Sequence, residues 1–161
     1  MSRDLTIESL CTARVEQGPQ GHVVVSPADP YLRRMDGETG RDLLILAACA
    51  LRKDPLCIEA HLLLSKHSRD EATRFQHLKL AVRAGEHLWE RAESEAGGRL
   101  MCWNNPAMRP YLRAIQGLGD ALAEAGNIDA AEFCYRRLES FGPGFAPMGS
   151  DLPACTKMAF N

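Results

Sequence analysis

The sequence lacks the features that would mark a nucleic-acid-binding or membrane protein. Lys and Arg number 19 and Asp and Glu number 21, so the formal net charge is only -2. Without a basic excess, there is no overall field to hold nucleic acid or an anionic membrane surface. The longest apolar run, residues 43–51, is too short to span a bilayer and is typical of a buried helix. We therefore expect neither a nucleic-acid partner nor a membrane partner.

The six cysteines show no spacing that is typical of a metal or redox site. No two of them form a C-x-x-C pair. Cys49, Cys57 and Cys134 lie in apolar stretches with a helical pattern, where free thiols behave as small hydrophobic side chains. Residues 1–8 carry charges but no apolar run that would make them a signal peptide. These observations predict a reduced, cytoplasmic protein.

Motifs that carry catalytic or metal chemistry are also lacking. The patterns G-x-G-x-x-G, G-x-x-x-x-G-K-[ST], G-x-S-x-G and H-E-x-x-H do not occur. Cys57 and His61 could share a helix face as two metal ligands, but no third ligand accompanies them. Three histidines recur every ten residues: His67, His77 and His87. Because Ser68 predicts a helix break after the first of them, we expect structural roles, no metal, no cofactor and no catalytic residue.

Most of the chain is patterned as helix. Asp54 and Pro55 predict the end of one helix and the N-cap and first residue of the next. Ser68 to Glu71 has the pattern of a capping box, and Asn127 is expected to cap the last helix. These signals predict helices over residues 41–53, 55–67, 110–125 and 128–141, and a long helix that follows the capping box at Ser68 and ends before Gly97. The fold class expected is therefore all-α.

The chain divides into three parts by this patterning. Residues 1–36 predict a weakly structured segment with a short helix over residues 3–15, a break at 18–21 and an extended piece over 22–26. Residues 37–145 predict a helical repeat domain. Residues 146–161 predict an extended or disordered tail, rich in apolar side chains and almost without charge. Such a tail could cover an open end of the helices or mediate a homodimer.

Residues 112–145 match the spacing of one tetratricopeptide repeat. The matching residues are Leu118, Gly119, Leu122, Gly126, Ala131, Tyr135, Leu138 and Pro143. Gly119 and Ala131 are small, so two antiparallel helices can approach closely, and Gly126 allows a sharp reversal of the chain. The pattern predicts antiparallel helix pairs stacked as a short tetratricopeptide-like solenoid.

Three further segments carry a family resemblance. They are Ala50–Leu64, Ala81–Glu86 and Met108–Ala114. In this order they resemble motifs of a group of bacterial tetratricopeptide proteins that is similar to the suppression-of-tumorigenicity-seven family. Met108 departs from the threonine that is usual at its position. The resemblance implies an all-α repeat fold and an interaction role, and it brings no catalytic residue.

A group of polar and aromatic residues near residue 110 is the candidate binding site. In the repeat register, Arg113, Gln116 and Asp120 point into the concave groove. Arginines in a groove can hold a carboxylate through two parallel hydrogen bonds, and Trp103 could close one end. The full predicted set is Arg109, Tyr111, Arg113, Gln116, Asp120 and Trp103. Alternatively, the arginines pair with glutamates of neighbouring helices and Trp103 only caps the core.

These features predict a non-enzymatic adaptor that binds a peptide or protein segment in the groove. One alternative is a regulatory module that binds a small anionic ligand at Arg109 and Arg113. Another is an enzyme with an unfamiliar site.

Overall fold

Helices dominate the computed structural model of the protein, which describes residue 10 and residues 12–142. The helices are α1 (Asp29–Met35), α2 (Gly40–Lys53), α3 (Ile58–His67), α4 (Glu71–Ala96), α5 (Arg109–Glu124) and α6 (Ile128–Glu139). A short 3-10 helix, Pro106–Met108, precedes α5, and two strands, β1 (Arg14–Gly18) and β2 (Gly21–Val25), precede α1. Because 67% of the described residues are helical, the predicted mostly helical fold is confirmed apart from this small sheet, and the stacking of helix pairs as a solenoid stays a prediction.

The local signals for helix ends are largely confirmed. The Asn127 side chain accepts a hydrogen bond from the Ala130 amide and caps α6. Gly126 and Gly97 take positive φ angles of 80° and 66°, which glycine adopts without strain, at the turn before α6 and at the end of α4. Pro110 lies in the first turn of α5, as expected for a residue without an amide hydrogen.

Two predicted caps are wrong. The N-cap of α4 is Asp70, which accepts from the Thr73 amide at 2.8 Å, whereas Ser68 donates back to the Leu64 carbonyl at the end of α3. Helix α3 begins at Ile58, three residues after Pro55. Asp54 does not cap this helix because its carboxylate accepts hydrogen bonds from the Leu56 amide and from the distant Ser26 hydroxyl.

The segment before α2 is more regular than its sequence predicts. Strands β1 and β2 pair in an antiparallel hairpin, from Arg14 opposite Val25 to Gly18 opposite Gly21. The predicted extended piece over 22–26 is confirmed, but the predicted helix over 3–15 is wrong at its end, where β1 begins. The expectation of weak structure is wrong over residues 14–35, which contain the hairpin and α1. Residues 1–9 and 11 lie outside the described residues.

The hairpin docks on the helices through apolar side chains. Val15 and Val24 pack against the main core, and Ala13, just before β1, is buried in it. The Arg91 guanidinium of α4 donates to the Ala13 carbonyl at 3.3 Å. The β-branched valines fit the half-buried surface of a strand, which explains why this segment folds onto α4 instead of remaining loose.

Helices α4, α5 and α6 run antiparallel to their neighbours along the chain. Gly85 of α4 lies against Tyr111 near the start of α5, whereas Arg74 pairs with Glu124 near its end. Between α5 and α6, Tyr111 contacts Phe141 and Gly119 contacts Tyr135. Helix α3 packs on both α4 and α5, and α2 packs between α1 and α3.

The main core lies between α4, α5 and α6. Its largest fully buried side chains are Trp89, Met108, Tyr111, Ile115 and Leu138. A second, smaller cluster joins α1, α2 and α3 and consists mostly of alanines, which let these helices approach closely. No helix in residues 12–142 is long and apolar enough to cross a membrane. The predicted tail, 146–161, lies outside the described residues.

Candidate functional site

Helix α5 places four of the six predicted site residues along one face. Arg109 and Arg113 are exposed, and Gln116 and Asp120 are half-buried. Steps of four, three and four residues keep these side chains on neighbouring positions of the helix surface. The opposite face is anchored in the core by Leu112, Ala114 and Ile115. The two arginines are therefore carried by a helix whose own position is fixed by packing.

Neither arginine is neutralised by a neighbour among residues 12–142. The ion pairs among the described residues join Arg14 to Glu16, Arg74 to Glu124, Arg91 to Glu95 and Arg136 to Glu132. Arg109 and Arg113 form neither an ion pair nor a hydrogen bond with any described residue. The alternative in which they pair with glutamates of neighbouring helices is thus not observed in this part of the chain. Their guanidinium groups remain available as charged, planar hydrogen-bond donors.

Tyr111 is not a surface residue, and its place among the ligand-binding residues is wrong. Its side chain is 0% exposed. A Cβ atom added at Gly85 would lie 2.1 Å from the Tyr111 Cδ2, so the ring lies directly on the backbone of α4. The ring also meets Phe141 edge-on at 6.0 Å between centroids. Burial raises the pKa of Tyr111 to about 12, so the phenol remains protonated at neutral pH.

The contact that buries Tyr111 joins two of the segments that resemble the family. Gly85 belongs to Ala81–Glu86, and Tyr111 belongs to Met108–Ala114. The resemblance of each segment does not by itself indicate that they meet. The structure brings them together, with the glycine providing the space that the ring fills.

Asp120 forms a hydrogen bond that joins α5 to α6. Its Oδ1 accepts a hydrogen bond from the Tyr135 hydroxyl at 2.7 Å. Burial first, and the neighbouring carboxylate second, raise the pKa of Tyr135. Asp120 thus positions the second helix of the hairpin, and only its remaining oxygen could meet a partner.

Trp103 lies in the loop between α4 and α5. Its amide donates to the Phe141 carbonyl at 3.0 Å, and its half-buried side chain packs against the main core. These contacts agree with the alternative in which Trp103 caps the core at this end of the hairpin. Its predicted role in closing a groove stays a prediction.

An open cleft lies between the end of α4, the loop that follows it and the end of α6, and it contains two arginines that the sequence reasoning missed. Its volume is about 570 Å³, and its lining includes Arg99, Arg137, Glu93 and Phe141. Arg99 Nη2 donates to the Ser140 carbonyl at 2.9 Å, and the Arg137 guanidinium lies over the Phe141 ring at 5.1 Å. The sequence signal for these two arginines was their position, because Arg137 lies in the last turn of α6 and Arg99 follows the end of α4. Cations are favoured there by the negative end of the helix dipole.

A second cavity, of about 40 Å³, lies between the hairpin, α1 and the α2–α3 loop. Asp54, 1% exposed, accepts from the Ser26 hydroxyl at 2.6 Å, and the Ala28 amide donates to that hydroxyl at 3.1 Å. The space would hold a few water molecules. This cluster therefore joins the N-terminal segment to the helices and offers little room for a substrate.

Cys57 and His61, the two residues that could share a helix face as metal ligands, bond to other groups. His61 Nε2 lies 2.9 Å from the Pro55 carbonyl, and the Cys57 thiol faces Glu59 at 3.8 Å. Burial raises the pKa of the Cys57 thiol to about 12, with Glu59 adding to the effect. A protonated thiol is a poor ligand and a poor nucleophile. Within residues 12–142, no group of three or more His, Cys, Asp or Glu side chains is placed to hold a metal ion.

Comparison with known proteins gives no further guide, because no family model, no curated protein and no solved structure matches the chain. The resemblance to tetratricopeptide proteins therefore remains an expectation, and the site is argued from its geometry alone. Arg109 and Arg113 are exposed and have no ion-pair partner among the described residues, and such arginines can bind anionic groups such as carboxylates.

Proposed function

We propose that the protein is a non-enzymatic helical-repeat adaptor, and that Arg109 and Arg113 bind an acidic segment of a partner peptide or protein. The packing of the helices supports this proposal. Each helix from α2 to α6 packs against the next one along the chain, and α3 also contacts α5. Stacked helix pairs require contacts of this kind. In the α5–α6 hairpin, Gly119 lies close to Tyr135 and Cys134 of the facing helix, which supports a close approach of the two helices.

The observation that carries the proposal is that Arg109 and Arg113 are exposed and have no partner within the part of the chain that the structure describes. Most exposed arginines gain little from an ion pair, about 0.2–1 kcal/mol. Arg109 and Arg113 lie one turn apart on a helix whose backbone is already fixed by packing, so they lose less conformational entropy on binding than arginines on a flexible segment would. Together they can hold two carboxylates of an extended segment. A segment with acidic residues at alternate positions fits this spacing, because such residues lie on one side of an extended chain.

An array of short synthetic peptides of varied net charge tests the proposal. We expect the full-length protein to retain peptides rich in Asp and Glu, and the double variant Arg109→Glu/Arg113→Glu to lose at least about tenfold in affinity. Arg52→Glu/Lys53→Glu is the matched control. It reverses the same number of exposed charges at the end of α2, distant along the chain from the α5 face. If both double variants lose the same affinity, the loss comes from the change in net charge and not from a site at Arg109 and Arg113, and the proposal is contradicted.

The second candidate is a regulatory module for a small anion at Arg109 and Arg113. A cleft of about 570 Å³, within the range of small-molecule pockets, is lined by two other arginines, Arg99 and Arg137, which form a second place where a small anion can bind. Thermal-shift measurements with inorganic phosphate, dicarboxylic acids and nucleotides separate the two candidates. Stabilisation by one of these compounds, lost in Arg109→Glu/Arg113→Glu, favours the module. A response to acidic peptides alone favours the adaptor.

A further inference from the structure

Two histidines meet between α3 and α4. His61 Nδ1 lies 3.0 Å from His77 Nδ1, and the ring centroids are 5.3 Å apart. His61 is 3% exposed and His77 is half-buried. This histidine pair, His61 and His77, is the direct polar contact between side chains of the two helices in the described residues.

The neighbours of the pair determine where its protons lie. His61 Nε2 is 2.9 Å from the Pro55 carbonyl oxygen, which can only accept, so this nitrogen carries a hydrogen. Neutral His61 then has a bare Nδ1. The short distance between the two Nδ1 atoms therefore requires His77 to be the Nδ1–H tautomer and to donate to His61.

This arrangement can accept only one added proton, shared between its two rings. A proton on His77 Nε2 leaves the hydrogen bond between the rings intact. A second proton, on the remaining Nδ1, would place two N–H groups face to face across 3.0 Å and break that bond. The folded pair thus binds one proton, and burial disfavours its charge on His61, whereas the unfolded chain accepts a proton on each histidine near pH 6.5.

Few charged groups act on the pair from the surrounding elements. Burial has the largest effect on the pKa of His61 and lowers it, and His77 lowers it too, whereas the Pro55 carbonyl and Asp54, at the end of α2, raise it; the resulting shift is downward. Burial lowers the pKa of His77 as well. On the α5 side, Arg74 and Glu124 are paired with each other at 2.7 Å. On the β1 side, Arg91 is paired with Glu95 of its own helix.

We propose that the histidine pair is a pH-sensitive lock between α3 and α4, which holds the two helices together near neutral pH and weakens in acid. Its operation does not depend on peptide binding by the arginines. Since α3 also packs on α5, a weakened lock loosens the support of the helix that carries Arg109 and Arg113.

The direction of the pH dependence follows from the lowered pKa values. A histidine whose pKa is lower in the folded state contributes stability that is complete above the unfolded value, near 6.5. That stability is lost as the pH falls from there towards the folded pKa. If His61 remains neutral in the folded protein at pH 5.0, the ratio of folded to unfolded protein falls about 30-fold relative to pH 7.5 through this residue alone.

Urea unfolding of the full-length chain at pH 7.5 and pH 5.0 tests the lock. We expect His61→Gln to remove most of the 30-fold change that His61 contributes. His67→Gln is the matched control, because His67 is exposed at the end of the same helix. The control should keep the pH dependence of the wild type. An unchanged pH dependence in His61→Gln would overturn the proposal.

A measurement on the wild type keeps the test valid if His61→Gln does not fold. Nitrogen-15 NMR of the imidazole rings reads the tautomer of each histidine directly. We expect His61 as the Nε2–H tautomer down to pH 5, His77 as the Nδ1–H tautomer at pH 7.5, and faster amide exchange in α3 than in α6 on acidification, after correction for intrinsic rates. Titration of His61 at or above pH 6.5, or Nε2–H tautomers in both rings, would overturn the proposal.

Discussion

Replacement of Gly85 by alanine should destabilise the protein, although alanine is the better helix former. Gly85 is in the interior of α4. On propensity alone, the change would stabilise the helix by about 1 kcal/mol. The structure opposes this gain because the new Cβ would lie 2.1, 2.5 and 2.8 Å from three ring atoms of Tyr111. The ring is fully buried against Phe141, so it cannot swing aside as the end of a flexible chain could.

The magnitude follows from these opposing effects. Overpacking of a core costs about 1–3 kcal/mol and sometimes more. At 2.1 Å, the contact can be relieved only if the Tyr111 ring or the backbone of α4 moves. We expect a net loss of about 1–3 kcal/mol in the free energy of unfolding. For a chain of this size, that loss lowers the Tm by roughly 2–10 °C. Urea unfolding followed by tryptophan fluorescence measures the free energy, and calorimetry measures the Tm.

Gly117→Ala is the matched control. Gly117 is also in a helix interior, but its added Cβ would meet only the terminal Leu78 Cδ2 atom, at 3.0 Å. That end of a flexible side chain can move, so Gly117→Ala should be neutral or stabilising by up to about 1 kcal/mol. In a Tyr111→Ala background, Gly85→Ala should change sign and become stabilising. Equal stability of Gly85→Ala and Gly117→Ala in the wild-type background would refute the contact between the two motif segments.

Three further predictions concern packing, the N-terminal cluster and thiol chemistry. Gly119→Leu should lower the free energy of unfolding by roughly 1–3 kcal/mol, because even a Cβ added at this position would lie 2.9 Å from the Tyr135 ring. An unchanged urea midpoint would contradict this. Ser26→Ala removes a donor from the buried carboxylate that anchors the N-terminal segment, and it should cost about 1–3 kcal/mol in the same assay. In the native protein at pH 8, iodoacetamide should label the exposed Cys102 but not Cys57, whose pKa is about 12; mass spectrometry of the labelled peptides reads the outcome, and equal labelling would count against it.

Local signals predicted the helix ends well where the partner groups are close in sequence. Asn127 and Gly126 are examples, because a cap or a positive φ angle depends on only a few neighbouring residues. The prediction failed at Asp54, whose carboxylate bonds to Ser26, 28 residues away. No local pattern indicates that an aspartate before a proline will face the corner of a distant hairpin.

The same limit applied to the candidate site. The spacing of Arg109 and Arg113 along a helix was enough to predict a shared exposed face. The burial of Tyr111 between them depends on Gly85, which belongs to another helix. The His61–His77 contact could not be predicted either. The ten-residue spacing groups His77 with His67 and His87, whereas the actual partner of His77 is His61, which lies across the helix interface.

A charge-swap titration tests the central claim most directly. Fluorescence anisotropy measures the binding of a labelled acidic peptide, selected on the wild type, and of the same peptide with Lys in place of each Asp and Glu. We expect the wild type to bind only the acidic peptide and Arg109→Glu/Arg113→Glu to bind the lysine peptide instead, each with a preference of at least about tenfold. If the double variant still binds the acidic peptide with wild-type affinity, the two arginines do not form the binding site.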